Sequence, residues 1–509
     1  MTELLLEPIV LQQTGDLWEA MLIAFDVVTD PYNFLLLLIS VAIGLIVGIL
    51  PGLGGPIALA LLIPVTFQFD GNVAVMILSG TLGATAFGGS ITAILLNTPG
   101  DAPNAATLLD GYPMTRQGRG GEALAASAIS SASGAFFGLA LLLISIPFVR
   151  SLALAFGSPE MFWLAIAGLT TVALATRGSV LTDLIAGAFG LMLAFHGLNP
   201  VTGTARFTYG TTYLFDGIQL IPLIIGLFAI AEMIKLMGEQ QSIAGDTKVA
   251  GGLMKGTRSV VSNWKLVGQS SIIGWIIGII PGAGGTVANF ISYMTAKQRS
   301  SESSSFGEGN IKGVIASEAA NDSKDGGSMI PTLGLGVPGS ASTAVLLGAF
   351  IIHGVTPGPL LFQENLQLVF VVIFALLISN ALTSTIGLLT ANTLTKITRI
   401  RITTVAPIVV MISLLGAFAI RGNINDVVLA VGFGVIGALM MKYGMSRVAV
   451  VVALILGPLA EQNFHRSLQV SQGDYAILFT QPLSIALILI TVLMLAVSIY
   501  QSRRAIVGP

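Results

Sequence analysis

The chain has 509 residues, 54% of them hydrophobic and 9% charged, with a formal net charge of −2 and no cysteine. Soluble domains carry about 25% charged residues, so this composition, with a mean hydropathy of +0.88, excludes a water-soluble fold and leaves the bilayer as solvent. Near-neutral charge without a basic cluster excludes nucleic acid as a partner, and the missing thiols exclude disulfides and cysteine-based metal sites.

Residues 1–30 hold six acidic side chains and no basic one; the first basic residue is Arg116. A cleaved leader starts with positive charge, so this segment is expected to stay, outside the membrane or on its outer surface. Residues 17–29 are open as a further crossing or a surface helix. Charge-poor runs of crossing length, about 17–25 residues, fall at 31–50, 122–147, 159–176, 178–196 and 217–236. Further runs fall at 260–280, 366–395, 403–420, 424–441, 446–460 and 483–500. Between 51 and 121, and between 281 and 365, the apolar runs are short and cut by Pro and Gly. Those two regions are predicted as broken or re-entrant helices. The expected fold class is an all-α polytopic membrane protein of about 11–12 transmembrane segments.

Lys and Arg in short connections mark the cytoplasmic side. Lys235, Lys248, Lys255, Arg258 and Lys265 place residues 241–259 there as a linker, and Arg177, Lys396/Arg399/Arg401, Lys442/Arg447 and Arg503/Arg504 fall on the same side. The long 197–216 connection, with Arg206 alone, falls outside, as do the single residues Arg150, Arg421 and Arg466. The N-terminus is then outside and the C-terminus cytoplasmic.

A long-period repeat runs through this pattern. Gly44, Gly48, Pro51, Gly52, Gly54 and Gly55 match Gly274, Gly278, Pro281, Gly282, Gly284 and Gly285 at an offset of 230. "GGS" at 88–90 recurs at 326–328, and Pro99-Gly100 as Pro338-Gly339. The halves are 31–240, with 51–121 broken, and 260–509, with 281–365 broken. Combined with the charge-based topology the repeats run in opposite directions, a recurrent plan of secondary transporters whose substrate lies near the midplane.

Irregular backbone survives in hydrocarbon only where protein or a wet cavity surrounds it. Each helix restarting after a break offers unpaired amides and the positive end of its dipole, a seat for an anion. The predicted substrate-binding residues are Gly52, Gly54 and Gly55; Asn97, Thr98, Pro99 and Gly100; Gly282, Gly284, Gly285 and Thr286; and Gly336, Pro338, Gly339 and Ser340, with Asn289, Thr332, Ser342 and Thr343 as further polar candidates. No Lys or Arg lies within "LLNTPGDAP" or "TLGLGVPGSAST". Such a surface suits carboxylates held weakly enough to be released.

The plainer readings stand beside these. Gly44/Gly48 and Gly274/Gly278 have the small-xxx-small spacing of tight helix packing, and a Pro-Gly break can be a kink plugged by a neighbour. Asp183 reads as an acid satisfied near a helix end, and His196, His353 and His465 as structural. In "SEAANDSKDGGS" (317–328), Glu318, Asn321, Asp322 and Asp325 read equally as an oxygen-rich cation site or a solvated turn. With no HExxH, GxSxG or Cys/His pair, the chain does not read as an enzyme.

The paired "G-x-x-P-G-x-G-G" breaks, "NTPGDAPNAATLLDGYPM" (97–114) and "EAANDSKDGGSMIPTLGLGVPGSASTAVLLGAFIIHGVTPGP" (318–359) resemble the large membrane subunit of tripartite tricarboxylate transporters, the TctA family, along nearly the whole chain. The resemblance implies a bacterial inner-membrane symporter of citrate-like di- and tricarboxylates. Its partners would be a small four-helix membrane subunit and a periplasmic solute-binding protein, with a homo-oligomer open. Glu318, Asn321, Gly336, Pro338 and Gly339 match the family pattern, and Glu318 and Asn321 are the candidates for cation coupling; Asp322 stands where the family pattern has Asn or Ala. An elevator follows from the same resemblance, with 51–121 and 281–365 as the mobile block and 122–147 and 366–395 in the frame. Moving an anion inward opposes the membrane potential by about 2.3 kcal/mol per charge and 100 mV. The chain has no "GK" dipeptide, hence no Walker A loop, so it does not supply ATP hydrolysis. Na⁺ or H⁺, with no cofactor, is therefore the expected energy source. A passive anion channel or an exporter on the same fold is the alternative.

Overall fold

The structure, a computed structural model, describes residues 6–50, 52–153, 155–174, 180–199, 202–239, 252–281, 284–358, 360–397 and 402–507. Pro51, Arg177, Lys248, Gly282, Arg399, Arg401 and most of the expected 241–259 linker lie outside the described residues.

Helix α1 (Leu6–Thr29) ends at Asp30, whose carboxylate accepts from the Tyr32 and Asn33 amides and so caps α2 (Pro31–Ile49), with Pro31 at its first position. The chain breaks, restarts as α3 (Gly54–Thr66), and turns at Asp70, which caps α4 (Gly71–Leu96) in the same way. A second break and a 3₁₀ turn (Ala102–Asn104) lead into α5 (Ala105–Arg116), then α6 (Gly120–Ala153), α7 (Ser158–Leu174) and α8 (Val180–Ala194). The 197–216 connection holds an antiparallel ribbon pairing Gly197–Leu198 with Ala205–Arg206. Arg206 binds Glu461 through two nitrogens at 2.6 and 3.0 Å. Tyr213 donates to Asp426 Oδ1 at 2.7 Å, and burial, reinforced by that carboxylate, pushes its phenol above the ordinary range.

Helices α9 (Leu220–Ile224) and α10 (Ala231–Glu239) form one rod through π turns at Ile225–Ile230. The second half continues with α11 (Leu253–Ser262), α12 (Trp264–Ile279), α13 (Gly284–Arg299), α14 (Ile311–Leu335), α15 (Ala341–Ile352) and the turn α16 (Leu361–Glu364). It closes with α17 (Leu366–Ile397), α18 (Ile402–Ala419), α19 (Ile424–Lys442), α20 (Arg447–Val470), the turn α21 (Ile477–Thr480) and α22 (Pro482–Val507).

Among the described residues, seven helices are long and apolar enough to cross a membrane: α2, α4, α6, the 220–238 rod, α17, α19 and α20, with five shorter apolar helices beside them. The chain is an all-α polytopic membrane protein. The two broken regions also hold long rods between their breaks. The region 51–121 contains α4, a continuous apolar helix of 26 residues, and 281–365 contains the 25-residue α14. Glycines that read as interruptions there let neighbouring backbones approach instead.

Those approaches fix the direction of the rods. Cβ atoms added at Gly44 and Gly48 of α2 would lie 2.6 and 2.4 Å from the Thr81 and Thr85 carbonyls of α4, so the two helices run side by side in the same sense. Gly274 and Gly278 of α12 meet Ala320 and Lys324 of α14 at 2.4 and 2.3 Å, also in parallel. Gly134 and Gly138 of α6 meet Ala319 and Ser323 of the same helix at 2.2 and 2.4 Å. Lipid provides no hydrophobic drive between helices, and close packing of this kind, through dispersion and weak polar contacts, is what holds such rods together.

Candidate functional site

The breaks have matching internal geometry. Helix α2 ends at Leu50 (φ −77°, ψ 114°), whose amide returns to the Val47 carbonyl; α12 ends at Ile280 (φ −77°, ψ 111°), whose amide returns to Ile277. The restarts need positive φ at Gly54 (49°) and Gly284 (68°), which only glycine adopts without strain. Helix α4 stops at left-handed Asn97 and α14 at left-handed Gly336; the next amides, Thr98 and Val337, close on the Thr92 and Pro331 carbonyls at 3.4 and 3.0 Å. Asp101 and Ser340 then begin the following helices in reciprocal capping boxes with Asn104 and Thr343.

The breaks also meet. The Gly52 amide donates to the Gly100 carbonyl at 3.1 Å. Gly100 packs against Gly48 and Gly89, and Gly339 against Gly278 and Ser328. The start of α3 faces the other half: a Cβ on Gly55 would lie 2.5 Å from Ser342 Oγ. At the start of α13, a Cβ on Gly285 would lie 2.1 Å from Lys324 Cε and 2.9 Å from Pro103 Cγ. Asn289 Nδ2 reinforces this by donating to the Pro103 carbonyl at 3.0 Å.

A cavity of about 660 Å³ opens at the first break. Gly52, Gly54, Pro99, Gly100 and Asp101 line one side, with Ala341 from the second half, and Glu232, Lys235 and Arg447 line the other. Of the residues expected from sequence, Asn97, Thr98, Gly55, Gly284, Gly285, Thr286, Gly336, Pro338, Gly339 and Ser340 do not line it. Thr332, Thr343 and Ser340 are engaged in closing the fourth break: Thr332 accepts from the Gly339 amide at 3.3 Å and Thr343 from the Ser340 amide at 2.8 Å.

The cavity's charges were missed in the sequence. Buried Glu232 binds Lys235 at 3.2 Å and Arg447 at 3.2 Å. Arg447 also donates to the Leu227 carbonyl at 2.9 Å and lies 5.2 Å from the Phe228 ring centre. Two cations share the one carboxylate of Glu232, and Asp101 on the opposite side balances the second positive charge of the wall. Lys235 and Arg447 had been read only as markers of orientation; the available signal was Glu232, an acid inside the apolar run 217–236.

Beside the breaks, residues 317–328 form a buried length of α14 and are no solvated turn. Glu318 is fully enclosed and accepts from Ser90 at 2.8 Å, Ser127 and Ser131 at 2.9 Å each, and Thr107. Lys324 binds Asp325 at 2.7 Å. Asp322 and Asn321, each 1% exposed, contrast with these: both Asp322 oxygens and the Asn321 Oδ1 have no hydrogen-bond partner. No group of three or more His, Asp or Glu set to hold a metal ion occurs among the described residues. Asp183, in the first turn of α8, accepts from the Ser446 amide at 3.1 Å. His353 bonds Thr66 at 2.9 Å, and His196 packs against Phe207.

Apolar rods, paired breaks and a charged cavity where they meet define an integral-membrane transport component. The tripartite tricarboxylate transporter TctA family matches residues 34–452, and the chain belongs to that family. It is similar to an uncharacterized 52.8 kDa protein in the TAR-I ttuC' 3' region of Agrobacterium vitis, 32% identical over 500 residues that cover 96% of this chain and 98% of the relative. A second Agrobacterium vitis protein, uncharacterized and in the TAR-II ttuC' 3' region, is 30% identical over 234 residues, 45% of this chain and 97% of the relative. No solved structure matches.

Proposed function

We propose that the chain is the large membrane subunit of a cation-coupled importer of citrate-like di- and tricarboxylates in the bacterial inner membrane. It receives substrate from a periplasmic solute-binding protein and works beside a small four-helix membrane subunit. One observation carries the reading: the cavity at the first break brings two cations, Lys235 and Arg447, to the glycine-lined junction of Gly52, Gly54 and Gly100, where the Asp101 carboxylate already sits on the Gly55 amide at 3.4 Å. A guanidinium and an ammonium each favour a carboxylate, and a substrate that draws Arg447 and Lys235 from Glu232 would find two cations for an anion with more than one.

The geometry supports two inverted repeats. The rods α2 and α4 run together in the first half and α12 and α14 in the second, while Gly120 at the start of α6 packs beside Leu95 at the end of α4. Because α6 parallels α14, this sets α4 against α14. In the charge-based topology Lys235 and Arg447 are cytoplasmic, so the cavity represents an inward-open state from which substrate leaves. The blocks around the breaks move as an elevator against α6 and α17, with Na⁺ or H⁺ as the coupling ion. The test is uptake of labelled citrate by proteoliposomes holding both membrane subunits and the binding protein. Saturable accumulation that needs an ion gradient and the binding protein is expected. Flux at channel rates, or transport indifferent to both, would overturn the reading.

A further inference from the structure

Four acidic or amide side chains on one face of α14 look alike in the sequence and differ sharply in the structure. Glu318 is saturated by four hydroxyl donors from three helices: Ser90 of α4, Thr107 of α5, and Ser127 and Ser131 of α6. Asp325 is neutralised by Lys324. Asp322, one turn from each, is equally buried, and neither oxygen accepts a hydrogen bond of normal geometry: Ser131, the hydroxyl that acts on it, is committed to Glu318 at 2.9 Å, and the adjacent Asn321 carbonyl oxygen is also bare. A buried carboxylate without donors carries a penalty of several kcal/mol, and an orphaned buried polar group in a native fold calls for an explanation such as an ion.

The comparison between the halves removes the bland explanation. At the offset of 239 that relates α4 to α14, the positions of Glu318, Asn321, Asp322 and Asp325 are Ser79, Leu82, Gly83 and Ala86. Helix α4 makes the same parallel contact with its neighbour α2 that α14 makes with α12, and does so without an acid. Packing therefore does not require Asp322. The charges acting on it are Asp325, Glu318 and Lys324 on its own helix. Helix α6 contributes only Ser127, Ser130 and Ser131 at this level, its charged Glu122 and Arg150 lying near its ends, and α12 has no charge beyond Lys265 in its first turn.

We propose that Asp322 is the seat of the monovalent cation that accompanies the carboxylate, with Glu318 a fixed support that does not exchange it. The proposal rests on the transport reading and deepens it. A sodium ion and a proton share the required chemistry, a single positive charge delivered to an enclosed carboxylate.

The test uses liposomes containing the assembled complex and two assays. Exchange of labelled for unlabelled citrate, without any gradient, reads substrate movement alone. Concentrative uptake, under a sodium gradient at equal pH or a pH gradient without sodium, reads coupling, and the gradient that drives the wild type names the cation. Asp322→Asn is expected to exchange near the wild-type rate and to lose at least about tenfold in concentrative uptake, within the range of a coupling energy. Asp322→Asn that concentrates citrate like the wild type overturns the proposal. If that variant does not assemble, Asp322→Glu decides: a changed dependence on the driving cation supports the assignment and an unchanged one overturns it. Glu318→Gln is expected to lower thermal stability while the surviving protein keeps its gradient dependence; a stable Glu318→Gln without coupling would move the seat to Glu318. A wild type that exchanges no citrate would fail the transport reading itself and take this inference with it.

Discussion

Gly55 and Ser342 compete for one volume: a Cβ on Gly55 would sit 2.5 Å from Ser342 Oγ, with Thr85 Oγ1 at 3.3 Å behind it. The start of α3 in the first half is thus closed by the start of α15 in the second. Gly55→Ala is expected to displace that junction, with overpacking of about 1–3 kcal/mol, and to cut initial uptake. Ser342→Gly in the same chain opens the needed space. Recovery of uptake in the double variant, measured as a cycle, checks the contact; equal loss in single and double variants would contradict it.

Gly278 of α12 lies 2.3 Å, by its missing Cβ, from the Lys324 carbonyl, whereas Gly268 of the same helix has nothing within 4 Å. Gly278→Ala is expected to lower stability by about 1–3 kcal/mol because backbone cannot step aside. Gly268→Ala should be neutral or stabilising by up to about 1 kcal/mol, since alanine is the better helix former. Thermal unfolding in detergent distinguishes the two.

The cavity charge makes a separate demand. Arg447→Ala removes one of the two cations on Glu232, and the apparent KM for citrate should rise about tenfold, equivalent to about 1.4 kcal/mol. Arg447→Lys should recover little, because the guanidinium binds Glu232 and the Leu227 carbonyl at once and stacks on Phe228. Unchanged KM in both variants would place the substrate elsewhere.

Orientation can be read directly in a chain that has no cysteine of its own. Tyr209 in the 197–216 connection is 77% exposed and Met254 at the start of α11 is 80% exposed. Tyr209→Cys is expected to react with an impermeant thiol reagent in intact cells, and Met254→Cys only after the membrane is opened. Labelling of both from the same side would undo the inverted arrangement.

Much of this was legible beforehand, for identifiable reasons. The breaks announce themselves because Pro and Gly are the residues whose backbone limits are written in their type, and Asn97 and Gly336 end their helices where the motifs place them. The continuity of α4 was hidden: Gly80, Gly83 and Gly89 look like interruptions until the side chains of Leu37, Ser379 and Asn104 fill their space, and Gly88 until the α2 backbone does. Helicity of 317–328 was hidden as well, since a charged stretch signals water unless its partners, here Ser90, Thr107, Ser127 and Ser131, are known to converge from elsewhere. The Glu232–Arg447 pair joins residues far apart in the chain, and nothing local foretells such a meeting.

The reciprocal closure of the two halves also bears on how the protein is made. While the ribosome is still translating, α3 enters the membrane with its mouth unstoppered, because Ser342 has yet to be synthesised, and the hydroxyls of Ser90, Thr107, Ser127 and Ser131 wait for Glu318. The first half is therefore an unfinished object during biogenesis, and its maturation depends on a late-born segment arriving beside it.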